Sequence, residues 1–189
     1  TSLYPSIIMQ YNMSPETIVE DEVYNVSVEG MLDRSYSFNT KNAVASNGQC
    51  FSTDKLGYMP EIVQKFFDDR LRYKKLMKES EQLFEDTKDP KYKKDIAKYN
   101  NFQMARKIQL NSLYGAMANE YFRFFDTRIA EGITLSGQVI IRETAKALDE
   151  YMNRVCGPEN EVYSFYSDTD SCYSTMKGLV DKFFSGKDK

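Results

Sequence analysis

Apolar side chains recur at helical spacing over three long stretches of the chain. Behind Pro60, the residues Ile62, Phe66, Leu71, Leu76 and Leu83 hold an approximate helical period to about Phe84. The polar run Glu85-Asp86-Thr87-Lys88-Asp89-Pro90 interrupts it, and a second helix is predicted from about Lys91 to Ala118. Two long helices with a short polar link make an antiparallel helical hairpin. A third helix is predicted from about Thr127 to Val155, with Ile129, Ile133, Ile140, Ile141, Leu148 and Met152 as its core stripe. Gly157-Pro158 ends it.

The rest of the chain reads in shorter pieces. Ser2-Leu3-Tyr4-Pro5-Ser6-Ile7-Ile8-Met9-Gln10-Tyr11 carries a proline placed for a first helical turn, so a tight turn into a short helix is expected. Residues 22 to 58 have the look of irregular β structure: Val23, Val26 and Val28 alternate in part, and Asn47-Gly48 marks a hairpin turn. After the third helix, an aromatic run leads into Ser167-Asp168-Thr169-Asp170-Ser171, and Cys172-Tyr173-Ser174-Thr175 leads out. Strand, acidic tip and strand predict a β-hairpin. A short amphipathic helix is expected around Leu179 to Phe184. There is no internal repeat and no low-complexity tract.

Composition narrows the chemistry. The 189 residues suffice for one sizeable core or two small lobes, and 41% hydrophobic with 28% charged residues predicts a soluble globular protein. No apolar run approaches the ~20 residues of a membrane span, and no signal peptide opens the sequence. The missing initiating Met points to a piece of something longer. Cys50, Cys156 and Cys172 are odd in number and form no C-x-x-C pair, so they read as thiols of a reducing compartment. The chain has no histidine, which removes histidine-based hydrolysis, zinc-histidine sites and histidine acid–base chemistry. Net charge is −3, yet thirteen Lys and Arg face eight Asp and Glu between Lys65 and Lys107, a local excess of five positive charges. A basic hairpin on an acidic base suits phosphates on one arm and metal ions at the centre.

Three segments carry candidate chemistry. Asp168 and Asp170 stand one residue apart, and unpaired carboxylates that close repel unless a cation sits beside them; hard Mg²⁺ is the usual answer. A solvated turn is the alternative for this tripeptide alone. On the second helix Lys107, Asn111 and Tyr114 lie at i, i+4 and i+7, so a cation, an amide and an aromatic ring share a face. Arg70 and Lys74 are i and i+4 on the first helix. Folded back, the hairpin is expected to aim Arg70, Lys74 and Lys107 at one polyphosphate. A solvated basic face is the plainer reading of each helix taken singly. Together, acidic hairpin and cationic helix point to metal-assisted phosphoryl transfer.

Ser2-Leu3-Tyr4-Pro5-Ser6-Ile7-Ile8, Lys107 through Gly115, and Tyr166-Ser167-Asp168-Thr169-Asp170-Ser171 resemble the three polymerase motifs of family B DNA polymerases, in the same order. Asn47-Gly48 before Phe51, Gly57-Tyr58-Met59-Pro60 leading to Arg70, and Phe122-Arg123-Phe124-Phe125-Asp126 extend the likeness, the last most similar to polymerases of tailed bacteriophages. The resemblance covers essentially the whole chain. It implies an α+β fold, with a palm of antiparallel strands backed by helices (residues 1–56 and 120–189) and an inserted helical-hairpin fingers subdomain (57–119). It implies addition of deoxynucleoside triphosphates to a primer 3′ end with two Mg²⁺ ions, primer-template DNA as partner, and a sliding clamp engaged through a region outside this sequence. The expected setting is the cytoplasm of a bacterial host, without secretion or a membrane.

By the same resemblance, Asp168 and Asp170 belong to the metal site, Asp170 more directly. Backbone amides near Ser2 and Leu3 bind the triphosphate, and Tyr4 lies under the sugar and excludes a 2′-hydroxyl. Arg70, Lys74 and Lys107 grip phosphates, with Lys107 a candidate proton donor to pyrophosphate. Asn111 and Tyr114 line the nascent base pair. Tyr4 beside a proline also reads as simple packing. Two departures stand out. Ser167 replaces the glycine most relatives carry before Asp168, which matters only if the backbone there needs positive φ. The family's other metal-binding aspartate precedes the Ser-Leu-Tyr-Pro-Ser motif, and the chain begins inside that motif, so it is expected to be inactive alone. A rival from another class is a non-catalytic nucleic-acid-binding module whose basic hairpin tracks phosphates.

Overall fold

The computed structural model describes residues 2–157 and 161–184. The chain runs α1 (Leu3–Gln10), a 3-10 turn (Pro15–Thr17), β1 (Ile18–Val23), α2 (Val28–Leu32), β2 (Ala43–Val44), β3 (Gln49–Phe51), α3 (Tyr58–Thr87), α4 (Pro90–Met117) and α5 (Thr127–Cys156). It ends in β4 (Ser164–Asp168), β5 (Ser171–Ser174) and α6 (Lys177–Phe184). Helix α1 has only two turns, too few to persist in water unaided. Its Ile7 and Ile8 are fully buried against α3, α4 and α5, where Val63, Leu110, Met117, Ile129 and Ile133 complete the core.

The loop after α1 fixes where α3 begins. Asn12 turns the chain with φ +54° and uses its whole amide. Its nitrogen donates to the Ser52 and Lys55 carbonyls at 2.7 and 2.8 Å, and its oxygen accepts the Gly57 N–H at 2.8 Å. The Tyr58 N–H donates to Glu16 and the Met59 N–H to Ser14 Oγ. Gly57 has no side chain to cap α3, so residues about forty positions upstream satisfy its orphan donors.

Helices α3 and α4 form the expected antiparallel hairpin, with a tighter link than the sequence pattern implies. Only Lys88, left-handed at φ +57°, and Asp89, which caps Lys91 N at 2.9 Å, lie between them. Glu85 and Asp86 continue α3, because solvated acids on an exposed face disturb no core. Buried α3 residues other than Ser80 fall at its start, and buried α4 residues fall towards its end. The base of the hairpin is therefore rooted in the core and its far end projects into solvent. Near the base, Arg106 bonds Asp69 at 3.0–3.1 Å and lies 4.7 Å from the Phe66 ring centroid, tying one helix to the other.

The β structure departs from the expected pattern in two ways. Val28 opens α2 and does not continue a strand, because Ser27 caps the helix by accepting the Gly30 N–H at 3.1 Å. The strands are antiparallel but form two separate sheets, β1-β3-β2 and β4-β5, so the single antiparallel core is met only in part. The Asn47-Gly48 turn does join β2 to β3. Gly48 has φ +84°, and an added Cβ would stand 1.7 Å from the Tyr24 carbonyl oxygen. Helix α5 starts where Asp126 caps Arg128 N at 2.9 Å. The same Arg128 grips Asp126 in bidentate fashion and reaches Glu20 on β1 at 2.6 Å. Gly157 ends α5 as expected, Pro158 lying outside the described residues. Helix α6 forms as expected but buries no residue.

Gly48→Ala should lower stability by about 1–3 kcal/mol, since it combines a left-handed backbone with a clash against a backbone carbonyl. Urea unfolding followed by circular dichroism tests this, and an unchanged midpoint refutes it. The Arg128 guanidinium holds the Asp126 carboxyl below the usual carboxylate range, although burial opposes this. That stabilisation is complete above the unfolded value, about pH 4, and fades as pH falls through the folded one. The stability gap between the wild type and Asp126→Asn should therefore close on acidification; a gap that widens contradicts the assignment.

Candidate functional site

Three segments far apart in sequence meet at one cleft of about 390 Å³. Ser2, Leu3 and Tyr4 come from the start of α1, Lys107 and Asn111 from α4, and Thr169 and Asp170 from the β4–β5 turn. A larger cleft of about 520 Å³ lies between the end of α5 and α6 and gathers none of these side chains. Convergent chemistry, not size, selects the smaller one.

The α1 end offers backbone N–H groups and the positive pole of a helix. Ser2 does not cap that helix through its side chain; its Oγ instead accepts from Arg70 Nη1 at 3.3 Å. Arg70 Nε is buried beside it without a hydrogen-bond partner among the described residues. Lys107 likewise has no salt bridge among the described residues. Lys74 stands one turn beyond Arg70 and lines a separate shallow cleft with Leu71, Lys75, Lys78 and Glu79. The structure thus brings Arg70 and Lys107 to the start of α1 and leaves Lys74 outside.

Asn111 lines the cleft one turn along from Lys107, and Tyr114 packs its ring on Tyr4, centroids 4.5 Å apart at 37°. Burial raises the Tyr4 phenol above its ordinary pKa, and the neighbouring Tyr114 and Asp170 add to the effect. Tyr4 therefore presents a neutral, braced ring.

The acidic turn is exposed and strained. Asp168 pairs with Ser171 at the end of the ladder, and Thr169 and Asp170 form the loop. Thr169 adopts φ +46°, a left-handed conformation that a β-branched residue disfavours by about 1–3 kcal/mol. Its Oγ1 donates to Asp168 Oδ1 at 3.1 Å. Ser167 lies within β4, paired with Cys172, so its Cβ meets no positive-φ penalty. Thr169 and Asp170 face the cleft, whereas Asp168 is not among its lining residues. No group of three or more His, Cys, Asp or Glu able to hold a metal occurs among the described residues. The two aspartates supply oxygen donors of the kind Mg²⁺ takes, but fewer than it needs.

Sequence spacing did not reveal the Arg106–Asp69 clasp, the Ser2–Arg70 contact or the strain at Thr169. The first two join residues 37 and 68 positions apart, and no local pattern marks such pairs.

The sequence profile of DNA polymerase family B matches residues 1–182. The chain belongs to DNA polymerase family B. It is 32% identical to the DNA-directed DNA polymerase of Escherichia phage RB69, across 99% of this chain and 25% of that protein. Identity to the DNA-directed DNA polymerase of Enterobacteria phage T4 is 30%, across 96% and 25%. The solved family B DNA polymerase from the archaeon Pyrobaculum calidifontis shares the fold, with TM-score 0.60 at 22% identity, covering 97% of this chain and 21% of that one. This family B segment spans about a quarter of the length of its phage relatives. Among its described residues, no helix is long and apolar enough to cross a membrane.

Tyr4 and Tyr114 should couple in a double-mutant cycle of Tyr4→Ala and Tyr114→Ala by about 0.5–1.5 kcal/mol of unfolding free energy. Additive single effects would mean that the two rings merely lie near each other.

Proposed function

We propose that this segment forms the nucleotidyl-transfer centre of a template-directed DNA polymerase. The observation that carries the reading is the meeting of α1, α4 and the acidic turn at one cleft, with cation, braced aromatic ring and carboxylate on its walls. Residues 57–119 act as fingers, which agrees with a helical hairpin rooted at its base and exposed at its far end. Residues 1–56 and 120–189 act as the palm.

The first-turn N–H groups of α1, Arg70 and Lys107 bind the triphosphate of an incoming deoxynucleotide. Tyr4, braced by Tyr114, lies beneath the sugar and leaves no room for a 2′-hydroxyl. Asn111 and Tyr114 line the nascent base pair. Asp168 and Asp170 would hold two Mg²⁺ ions, with further oxygens from phosphate, water and carboxylates beyond the described residues. Bound there, Mg²⁺ supplies Lewis-acid activation of the primer 3′-hydroxyl and neutralises charge on the phosphates. The 3′-hydroxyl loses its proton to solvent water and its oxygen forms a bond to the α-phosphorus as the bond to the bridging oxygen breaks, releasing pyrophosphate. Lys107 neutralises that leaving group and donates a proton to it. Closure of the hairpin over the nucleotide brings Lys74 towards the phosphates. Primer-template DNA is the partner, a clamp is engaged through other parts of the polymerase, and the setting is the cytoplasm of a bacterial host. Without the remaining metal ligands the segment alone is inactive.

Asp170→Ala in the intact polymerase chain should reduce single-nucleotide incorporation at least about a hundredfold. DNA affinity should hold or rise, since a negative charge has been removed. Primer extension and a salt-titrated binding assay measure both. Undiminished incorporation would sink the assignment, and salt-sensitive binding without incorporation in the wild type would favour a pure binding module.

A further inference from the structure

The acidic hairpin has little packing of its own. Phe165, Tyr166 and Tyr173 are each more than half exposed, and Asp168 and Asp170 are exposed as well. Its fixed points are at the base. Asp149, on α5, accepts the Tyr163 N–H at 2.9 Å and the Ser164 N–H at 2.7 Å through Oδ1, and the Ser164 hydroxyl at 2.7 Å through Oδ2. One turn later Asn153 accepts the Glu161 N–H at 3.0 Å and donates to the Glu161 carbonyl at 2.9 Å. Tyr163 is buried, and its carbonyl accepts Thr175 N at 2.9 Å, which closes the base.

A carboxylate that takes two successive backbone N–H groups fixes both the position and the twist of the strand that follows. From Ser164 to Asp168 the strand advances roughly 13 Å, so a rotation of about 10° at the base displaces the tip by roughly 2 Å. Productive geometry at a reacting centre tolerates about 0.5 Å.

We propose that Asp149 is a positioning residue for nucleotidyl transfer: it anchors the hairpin base so that Asp168 and Asp170 stand where the cleft needs them. The proposal rests on the reading of the cleft given above. Asp149 touches neither nucleotide nor metal and acts only through the strand.

The test compares the wild type with Asp149→Ala, Asp149→Asn, Ser164→Ala and Asp170→Ala in the intact polymerase chain. Single-turnover incorporation separates the maximal rate from the nucleotide Kd. Mn²⁺ binding by electron paramagnetic resonance and amide hydrogen exchange across 163–174 report on the hairpin without turnover. Asp149→Ala should lower the maximal rate roughly a hundredfold, the usual effect of about 1 Å of misplacement. It should also weaken Mn²⁺ binding and speed hairpin exchange, while nucleotide Kd changes less than about threefold. Asp149→Asn keeps an oxygen for the two N–H groups and should recover most of the rate. If Asp149→Ala does not fold, Ser164→Ala carries the test through a several-fold rate loss at unchanged melting temperature.

A rate within threefold of the wild type and unchanged exchange in Asp149→Ala overturn the proposal. So does a rate loss that merely follows melting temperature in both Asp149 variants. If Asp170→Ala retains incorporation, the cleft reading fails instead, and the exchange data still decide whether Asp149 sets the hairpin.

Discussion

Burial of Ile7 and Ile8 is the constraint on which the rest depends. Both side chains are fully removed from water, worth roughly 1.5–3 kcal/mol apiece. A two-turn helix lacks the length to form by itself, so tertiary packing creates it. The same packing gathers the start of α3, the last turns of α4 and the first half of α5 round one short element. Since Ser2, Leu3 and Tyr4 open that element, the core that folds the chain also sets the floor of the cleft. Stability and site share the same residues.

The cleft's electrostatics follow from unequal support for its walls. Its cationic side stands on long helices clasped by Arg106 and Asp69, each about a quarter exposed or less. Its acidic side stands on an exposed hairpin with a left-handed threonine at the tip. Among the described residues neither Arg70 nor Lys107 forms a salt bridge, although Asp170 lines the same cleft as Lys107. A rigid cationic wall opposite a strained acidic tip suits a site that receives a polyanion together with cations.

Much of the framework was legible in the chain. The three long helices appear close to where the apolar period, the polar break before Lys91 and the stop at Gly157 put them, because such signals act within a few residues. Lys107, Asn111 and Tyr114 share a face for the same local reason. The β region was less legible: Val26 and Val28 mimic alternation, but the Ser27 cap, worth about 1 kcal/mol, turns the chain into α2. Lys74 looked equivalent to Arg70 on spacing, and only the placement of α1 beside Arg70 separates them.

The sequence alone determined the helical hairpin, the acidic turn, the order of the three motifs and the absence of histidine chemistry, all of which are properties of neighbouring residues or of composition. Tertiary structure decided which motif residues share a cleft, how Asn12, Ser14 and Glu16 cap a helix about forty residues away, and where the backbone strain falls. Those are contacts between surfaces that exist only after burial has brought distant segments together, and no local preference encodes them.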